Sequence, residues 1–266
     1  MPTAIVTRFA QLKNSSALAL MTHVICGYPQ RNSTEALVKT MEEAGADFVE
    51  LQIPFSDPSA DGPTMMNANT EALNNNITVN DCFIMARNLS KTVKIPLIFM
   101  TYINILFNYG IEKFVKDAAK AGISGLIVPD FPVEETKEYV KYCRANNIDP
   151  IFVISPNTSD KRLEIIAPLA SGCLYCTTRT GITGVQTTIP TDVINYLKKV
   201  QKKIKLPIAV GFGIAKPEHV KALQGHADCA VVGSAVIELI KKTPAEKQLA
   251  TVKSYIKSLK SASNLV

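Results

Sequence analysis

Short apolar runs recur along the chain, each separated from the next by a longer stretch with helical spacing. The runs are Leu18–Ile25, Phe48–Ile53, Leu97–Thr101, Gly125–Val128, Ile151–Ile154, Cys173–Thr177, Pro207–Val210 and Cys229–Val232. They are rich in β-branched and aliphatic residues and do not alternate with polar ones, which is the signature of parallel strands buried on both faces. The intervening stretches predict helices over 111–121, 133–146, 159–169, 191–203 and 217–223, with a last one over 244–260. A further helix is expected after Asn32-Ser33-Thr34-Glu35, whose spacing predicts a capping box, and it should stop at Gly45. Eight strands, each followed by helical sequence, predict an α/β fold of the (βα)8 TIM-barrel type. Residues 2–14 are expected to form an extra N-terminal helix across the bottom of the barrel, and residues 1–266 to form a single domain.

Composition agrees with one large buried core. The chain has 266 residues, of which 47% are hydrophobic, enough for one barrel of this type. No run reaches the length of a membrane span, and the first ten residues lack the apolar core of a signal peptide. The expected location is therefore the cytoplasm. Cys26, Cys82, Cys143, Cys173, Cys176 and Cys229 are scattered through a chain that needs no staples, so free thiols are expected. Cys173 and Cys176 have C-x-x-C spacing but fall on one strand, where they should face opposite sides. The net charge of +6 comes largely from lysines such as Lys198, Lys199, Lys202 and Lys203 on helix faces, with little aromatic interleaving. That pattern fits a solvated face rather than a nucleic-acid footprint, and its field favours an anionic substrate.

In a barrel of this kind the chemistry lies in the loops after the strands. The second strand carries Glu50 and runs into a proline-stiffened loop with Asp57 and Asp61, so two carboxylates are held near one strand end. Glycines cluster in the late loops, at Gly181 and Gly184, at Gly211 and Gly213, and at Gly233-Ser234. Backbone N–H groups and a helix N-terminus bind phosphate in such loops. Between the two walls, Met100, Tyr102, Ile127, Pro129, Val153, Tyr175 and Phe212 are expected to line an apolar pocket. No lysine stands at a strand end to form a Schiff base, and His23, His219 and His226 lack metal-ligand spacing. For His23, at the end of the first strand, a hydrogen-bonded core position and a pocket position both remain open. What is left is carboxylate acid/base chemistry on a phosphorylated, flat, apolar substrate, with a barrel isomerase as a further possibility.

The block Glu50-Leu51-Gln52-Ile53-Pro54-Phe55-Ser56-Asp57-Pro58-Ser59-Ala60-Asp61-Gly62-Pro63 resembles the signature of the tryptophan synthase alpha subunit family. The likeness extends to Gly27-Tyr28-Pro29, Thr101-Tyr102-Ile103-Asn104, Gly125-Leu126-Ile127-Val128-Pro129-Asp130, Arg179-Thr180-Gly181-Ile182-Thr183-Gly184, Gly211-Phe212-Gly213-Ile214 and Gly233-Ser234. The resemblance implies a lyase that splits indole-3-glycerol phosphate into indole and glyceraldehyde 3-phosphate by a retro-aldol step, without a cofactor or metal of its own. It implies a PLP-dependent beta subunit as partner in an alpha2beta2 assembly, to which indole is passed for tryptophan biosynthesis. By position, Glu50 matches the acid/base and Asp61 the carboxylate that holds the indole N–H. Gly184, Gly213, Gly233 and Ser234 match phosphate ligands, and Arg179 and Thr183 fall in a lid. Pro54, Asp57, Asn104 and Asn108 match positions facing the beta subunit. The chain departs from the family pattern at Gln52, where glycine is usual, and at Ser59, Met66 and Glu71. Alternatives are a lyase that works without a partner and a weakly active phosphate-binding regulatory subunit.

Overall fold

The computed structural model describes residues 2–14, 17–177, 189–211 and 213–264. Eight parallel strands close in chain order: β1 (Ala19–Ile25), β2 (Phe48–Gln52), β3 (Leu97–Met100), β4 (Ile123–Ile127), β5 (Asp149–Ile154), β6 (Leu174–Thr177), β7 (Ile208–Gly211) and β8 (Cys229–Val232), with β8 pairing back onto β1. The helices are α1 (Ala4–Asn14), α2 (Ser33–Glu43), α3 (Pro63–Asn74), α4 (Val79–Leu89), α5 (Ile103–Tyr109), α6 (Ile111–Lys120), α7 (Lys137–Ala145), α8 (Asp160–Ile166), α9 (Thr191–Lys203), α10 (Pro217–Leu223), α11 (Ser234–Lys242) and α12 (Gln248–Ser263). This is the (βα)8 barrel with an added N-terminal helix that the spacing predicts.

Strand alternation sorts the apolar residues into two layers. Leu20, Val49, Leu51, Phe99, Leu126 and Ile208 pack outward in the cluster that includes the helix faces. Ala19, Met21, Phe48, Ile98, Ile151, Cys173, Ala209 and Cys229 fill the barrel interior. Cys173 lies inside and Cys176 outside, and all six cysteines are free and buried. Among the described residues, no cluster of ligating side chains has the geometry of a metal site, and no helix is long and apolar enough to cross a membrane.

Helix α1 stops the lower end of the barrel. Ile5, Phe9 and Leu12 share one face at helical spacing and pack with the interior cluster, and the rings of Phe9 and Phe48 lie 4.7 Å apart. Burial of three such side chains stabilises the fold by about 5–8 kcal/mol at most. Asp47, just before β2, accepts from Arg8 at 2.7 Å, Lys260 at 2.6 Å and the Leu20 amide at 2.8 Å. One buried carboxylate thereby ties both terminal helices to the barrel floor.

Two local expectations are corrected. The predicted capping box at Asn32 is not made: Thr34 Oγ1 accepts from the Gly27 amide and Glu35 accepts from Asn88 instead. A capping box forms at Thr78 and Asp81, at the start of α4. The predicted helix over 133–146 is a 3-10 turn at Val133–Glu135 followed by α7, because the Thr136 hydroxyl donates to the Val133 carbonyl and closes the turn.

Candidate active site

Residues Phe48, Glu50 and Gln52 alternate along β2 and all point inward. With the hydrophobic Phe48 at the floor, this puts the two polar side chains toward the strand's C-terminal end. The parallel register sets His23 of β1 beside Glu50. His23 Nδ1 is 3.1 Å from Glu50 Oε1, and both side chains are buried. His23 therefore occupies both places the sequence left open: it is hydrogen-bonded and it lines the cavity. Glu50 Oε2 has no hydrogen-bond partner among the described residues.

Asp61 arrives from the loop between β2 and α3. Pro58 accepts from the Asp61 amide at 2.9 Å, and Pro63 opens α3 two residues later, so the loop is short of freedom at both ends. Asp61 Oδ2 accepts from Gln52 Nε2 at 2.6 Å and from Asn69 Nδ2 at 3.2 Å. Asn69 is itself fixed: its amide nitrogen donates to the Met65 carbonyl and its oxygen accepts from the Phe55 amide. Burial pushes the Asp61 carboxyl above its ordinary range, against the opposing pull of the Gln52 hydrogen bond and the His23 charge. Burial alone would hold the His23 imidazole down, but the Glu50 charge and hydrogen bond outweigh it and raise His23 above its usual value.

These groups form one wall of a cavity of about 390 Å³ at the strands' C-terminal ends. Met100, Ile127, Pro129, Val153 and Tyr175 line it as the sequence predicts, and so do Gly213, Gly233 and Ser234. Gly211 is needed beside Tyr175, because a Cβ there would sit 3.0 Å from the ring and from its hydroxyl. Burial, reinforced by the charge of Glu50, keeps the Tyr175 hydroxyl far above its usual pKa, so it stays a neutral donor. Gly213 has φ +68°, a conformation that favours glycine. Ser234 begins α11, with Gly233 as its N-terminal cap, so free backbone N–H groups face the cavity.

Two expected positions are corrected. Tyr102 does not line the cavity: it is fully buried, its ring stacks on Phe55 at 5.4 Å, and its hydroxyl lies near Asp61, whose charge joins burial in raising it. Pro54 is buried, which does not suit a position facing a partner, whereas Asp57, Asn104 and Asn108 are exposed. Arg179, Thr183, Gly184 and Phe212 lie outside the described residues. Sequence reasoning missed Asn69, Thr64 and Thr177, the last two of which line the cavity. Asn69 alone carried a signal, as a poor helix former in mid-helix.

The family model described as tryptophan synthase alpha chain matches residues 9–264. The chain belongs to the tryptophan synthase alpha chain family. The tryptophan synthase alpha chain of Syntrophotalea carbinolica is 42% identical over 91% of this chain and 94% of that relative. That of Chloroflexus aggregans is 40% identical over 97% of both. Among solved structures, Mycobacterium tuberculosis tryptophan synthase superposes with TM-score 0.92 at 25% identity over the whole of both chains. The tryptophan synthase alpha chain of Legionella pneumophila gives TM-score 0.90 at 29% identity, covering 98% of this chain and 97% of that one. Tryptophan synthase alpha chains are lyases that cleave indole-3-glycerol phosphate, and they pair with a beta subunit, which holds the PLP.

Proposed function

We propose that this chain, acting as one barrel domain in the cytoplasm, splits indole-3-glycerol phosphate with Glu50 as acid and base and Asp61 as the partner of the indole ring. The observation that carries the reading is a buried and a half-buried carboxyl group, Glu50 and Asp61, lining the same cavity as Gly213, Gly233 and the start of α11. A phosphate bound at the glycine wall would direct the glycerol chain across the cavity toward Glu50 Oε2, the oxygen left without a partner.

In the first step protonated Glu50 gives its proton to the ring carbon that bears the glycerol chain. The ring nitrogen becomes positive, and Asp61 accepts its N–H and offsets the charge. Glu50, now a carboxylate, takes the proton of the neighbouring glycerol hydroxyl. The O–H electron pair forms the aldehyde, the carbon–carbon bond breaks, and its electrons return to the ring nitrogen, giving indole and glyceraldehyde 3-phosphate. Glu50 ends protonated, so the cycle closes with no net proton uptake. Indole then passes to a beta subunit.

The test is indole release from indole-3-glycerol phosphate by the purified chain, alone and with a beta subunit, beside Glu50→Gln and Asp61→Asn. Release that the partner accelerates, that Glu50→Gln abolishes and that Asp61→Asn lowers by about a hundredfold or more is the expected result. Intact substrate binding with no release in either condition would overturn it. A second reading, full activity without a partner, has one observation behind it: Asp61 is already held by Gln52 and Asn69 in the isolated chain. Equal release with and without the beta subunit would select it.

A further inference from the structure

Four polar side chains stand in a row across the top of the barrel: Glu50, His23, Gln52 and Asp61. The contacts run from Glu50 Oε1 to His23 Nδ1 at 3.1 Å, from His23 Nε2 to Gln52 Oε1 at 2.8 Å, and from Gln52 Nε2 to Asp61 Oδ2 at 2.6 Å. The direction of the row follows from what each atom can do. An ionised carboxylate only accepts, so the amide nitrogen of Gln52 must face Asp61 and the amide oxygen must face the imidazole. The opposite orientation would set the amide oxygen against the carboxylate oxygen of Asp61. His23 Nε2 therefore carries a hydrogen, and the tautomer is fixed.

That leaves Nδ1 to meet Glu50 Oε1. A hydrogen bond of 3.1 Å needs one proton between them, held either by the nitrogen or by the oxygen. A bare Nδ1 facing a carboxylate would put two lone pairs together in a buried place. In either permitted state Oε1 is committed to the imidazole, and Oε2 is the oxygen left without a partner in a side chain that lines the cavity. When the proton sits on Nδ1, the imidazolium stabilises the carboxylate that remains after Oε2 has given up its proton.

We propose that His23 and Gln52 are positioning residues of this site: the imidazole commits one oxygen of Glu50 and steadies its charge, while the amide fixes the imidazole's tautomer and braces Asp61. The proposal rests on the reading of Glu50 and Asp61 as the reacting carboxyl groups. Among the described residues, the charged groups that act on His23 are Glu50 of β2 and Asp61 of the following loop, and on the β8 side Gly233 lies against it. Removing Glu50 should therefore leave burial as the main influence on the imidazole.

The experiment follows the His23 ring nitrogens by 15N NMR across pH in the intact chain and in Glu50→Gln, with indole release measured for both and for His23→Phe. The expected result is an Nε2 that stays protonated throughout, and an Nδ1 that titrates above pH 6.5 in the native chain and at lower pH in Glu50→Gln. For His23→Phe, kcat should fall about tenfold or more with KM changed less than about twofold, since the ring holds a reacting group rather than the phosphate. An unmoved His23 midpoint in an inactive Glu50→Gln overturns the proposal while leaving the acid/base reading intact. An active Glu50→Gln overturns that reading itself. Native kcat in folded His23→Phe also overturns the proposal, and if that variant fails to fold, the NMR comparison decides alone.

Discussion

Substitution of Asp61 by Asn should move activity and stability in opposite directions. The carboxylate accepts from Gln52 at 2.6 Å and from Asn69 at 3.2 Å, and the carbonyl oxygen of an amide can accept both. A hydrogen bond to a charged acceptor contributes about 1.5–3 kcal/mol and one to a neutral acceptor about 1 kcal/mol, so the exchange loses roughly 2 kcal/mol over two bonds. Against this stands the burial that charge no longer suffers. Burial is the larger influence, because the Asp61 carboxyl is raised despite both hydrogen-bonding and cationic neighbours. The folded chain thus holds the Asp61 proton more tightly than the unfolded chain does. Its contribution to stability is present at low pH and is lost as pH rises from the unfolded carboxylate value near 4 through the folded one. Asp61→Asn is free of that loss. It should melt at or above the native temperature at pH 8, with the gap closing toward pH 5, while kcat for indole release falls about 10²- to 10³-fold, some 3–4 kcal/mol of transition-state stabilisation. Thermal denaturation at the two pH values, beside the indole assay, measures both. A variant that melts several degrees below the native chain at pH 8 and recovers at pH 5 would show that ionised Asp61 stabilises the fold, and would refute the reasoning.

Two further outcomes separate the ends of the barrel. Phe9→Ala removes the ring that packs on Phe48 at 4.7 Å and should cost about 3 kcal/mol, lowering Tm by roughly 6–12 °C while kcat and KM at 20 °C stay native; altered kinetics in the folded variant would contradict a purely structural role for α1. Gly213→Ala forces a side chain into φ +68°, a strain of about 1–2 kcal/mol at the glycine wall. It should raise KM about fivefold or more for the phosphorylated substrate and change kcat less, a split that steady-state kinetics reads directly.

The strands were visible in the sequence because a barrel buries both faces of each one, and continuous aliphatic runs answer to no other common arrangement. Glu50 stood out as an ionisable residue within such a run. Interactions between distant segments left weaker marks. Asn32 to Glu35 has the spacing of a capping box, yet Thr34 is drawn to the Gly27 amide and Glu35 to Asn88, partners seven residues back and 53 residues on. Tyr102 follows β3 at a position that alternation points inward, but Phe55 from the β2 loop covers its ring and takes it out of the cavity. Asn69 holds Asp61 only because α3 folds back over the β2 loop, a contact that no local pattern encodes.

His23 and Gln52 make sense only together. Gln52 faces inward because Glu50 does, two positions earlier on the same strand, so its amide has to be satisfied inside the barrel or remain a buried cost. His23 supplies the donor for its oxygen and Asp61 the acceptor for its nitrogen. The imidazole in turn is buried, and it keeps a raised pKa only because Glu50 stands at its other nitrogen. A hydrophobic residue at either position alone would leave a polar atom of the other unpaired in a dry place, which costs more than the same hydrogen bond contributes. The row therefore behaves as one unit that joins a strand carboxyl to a loop carboxyl, so the barrel wall, together with the prolines at the loop's ends, sets where Asp61 stands.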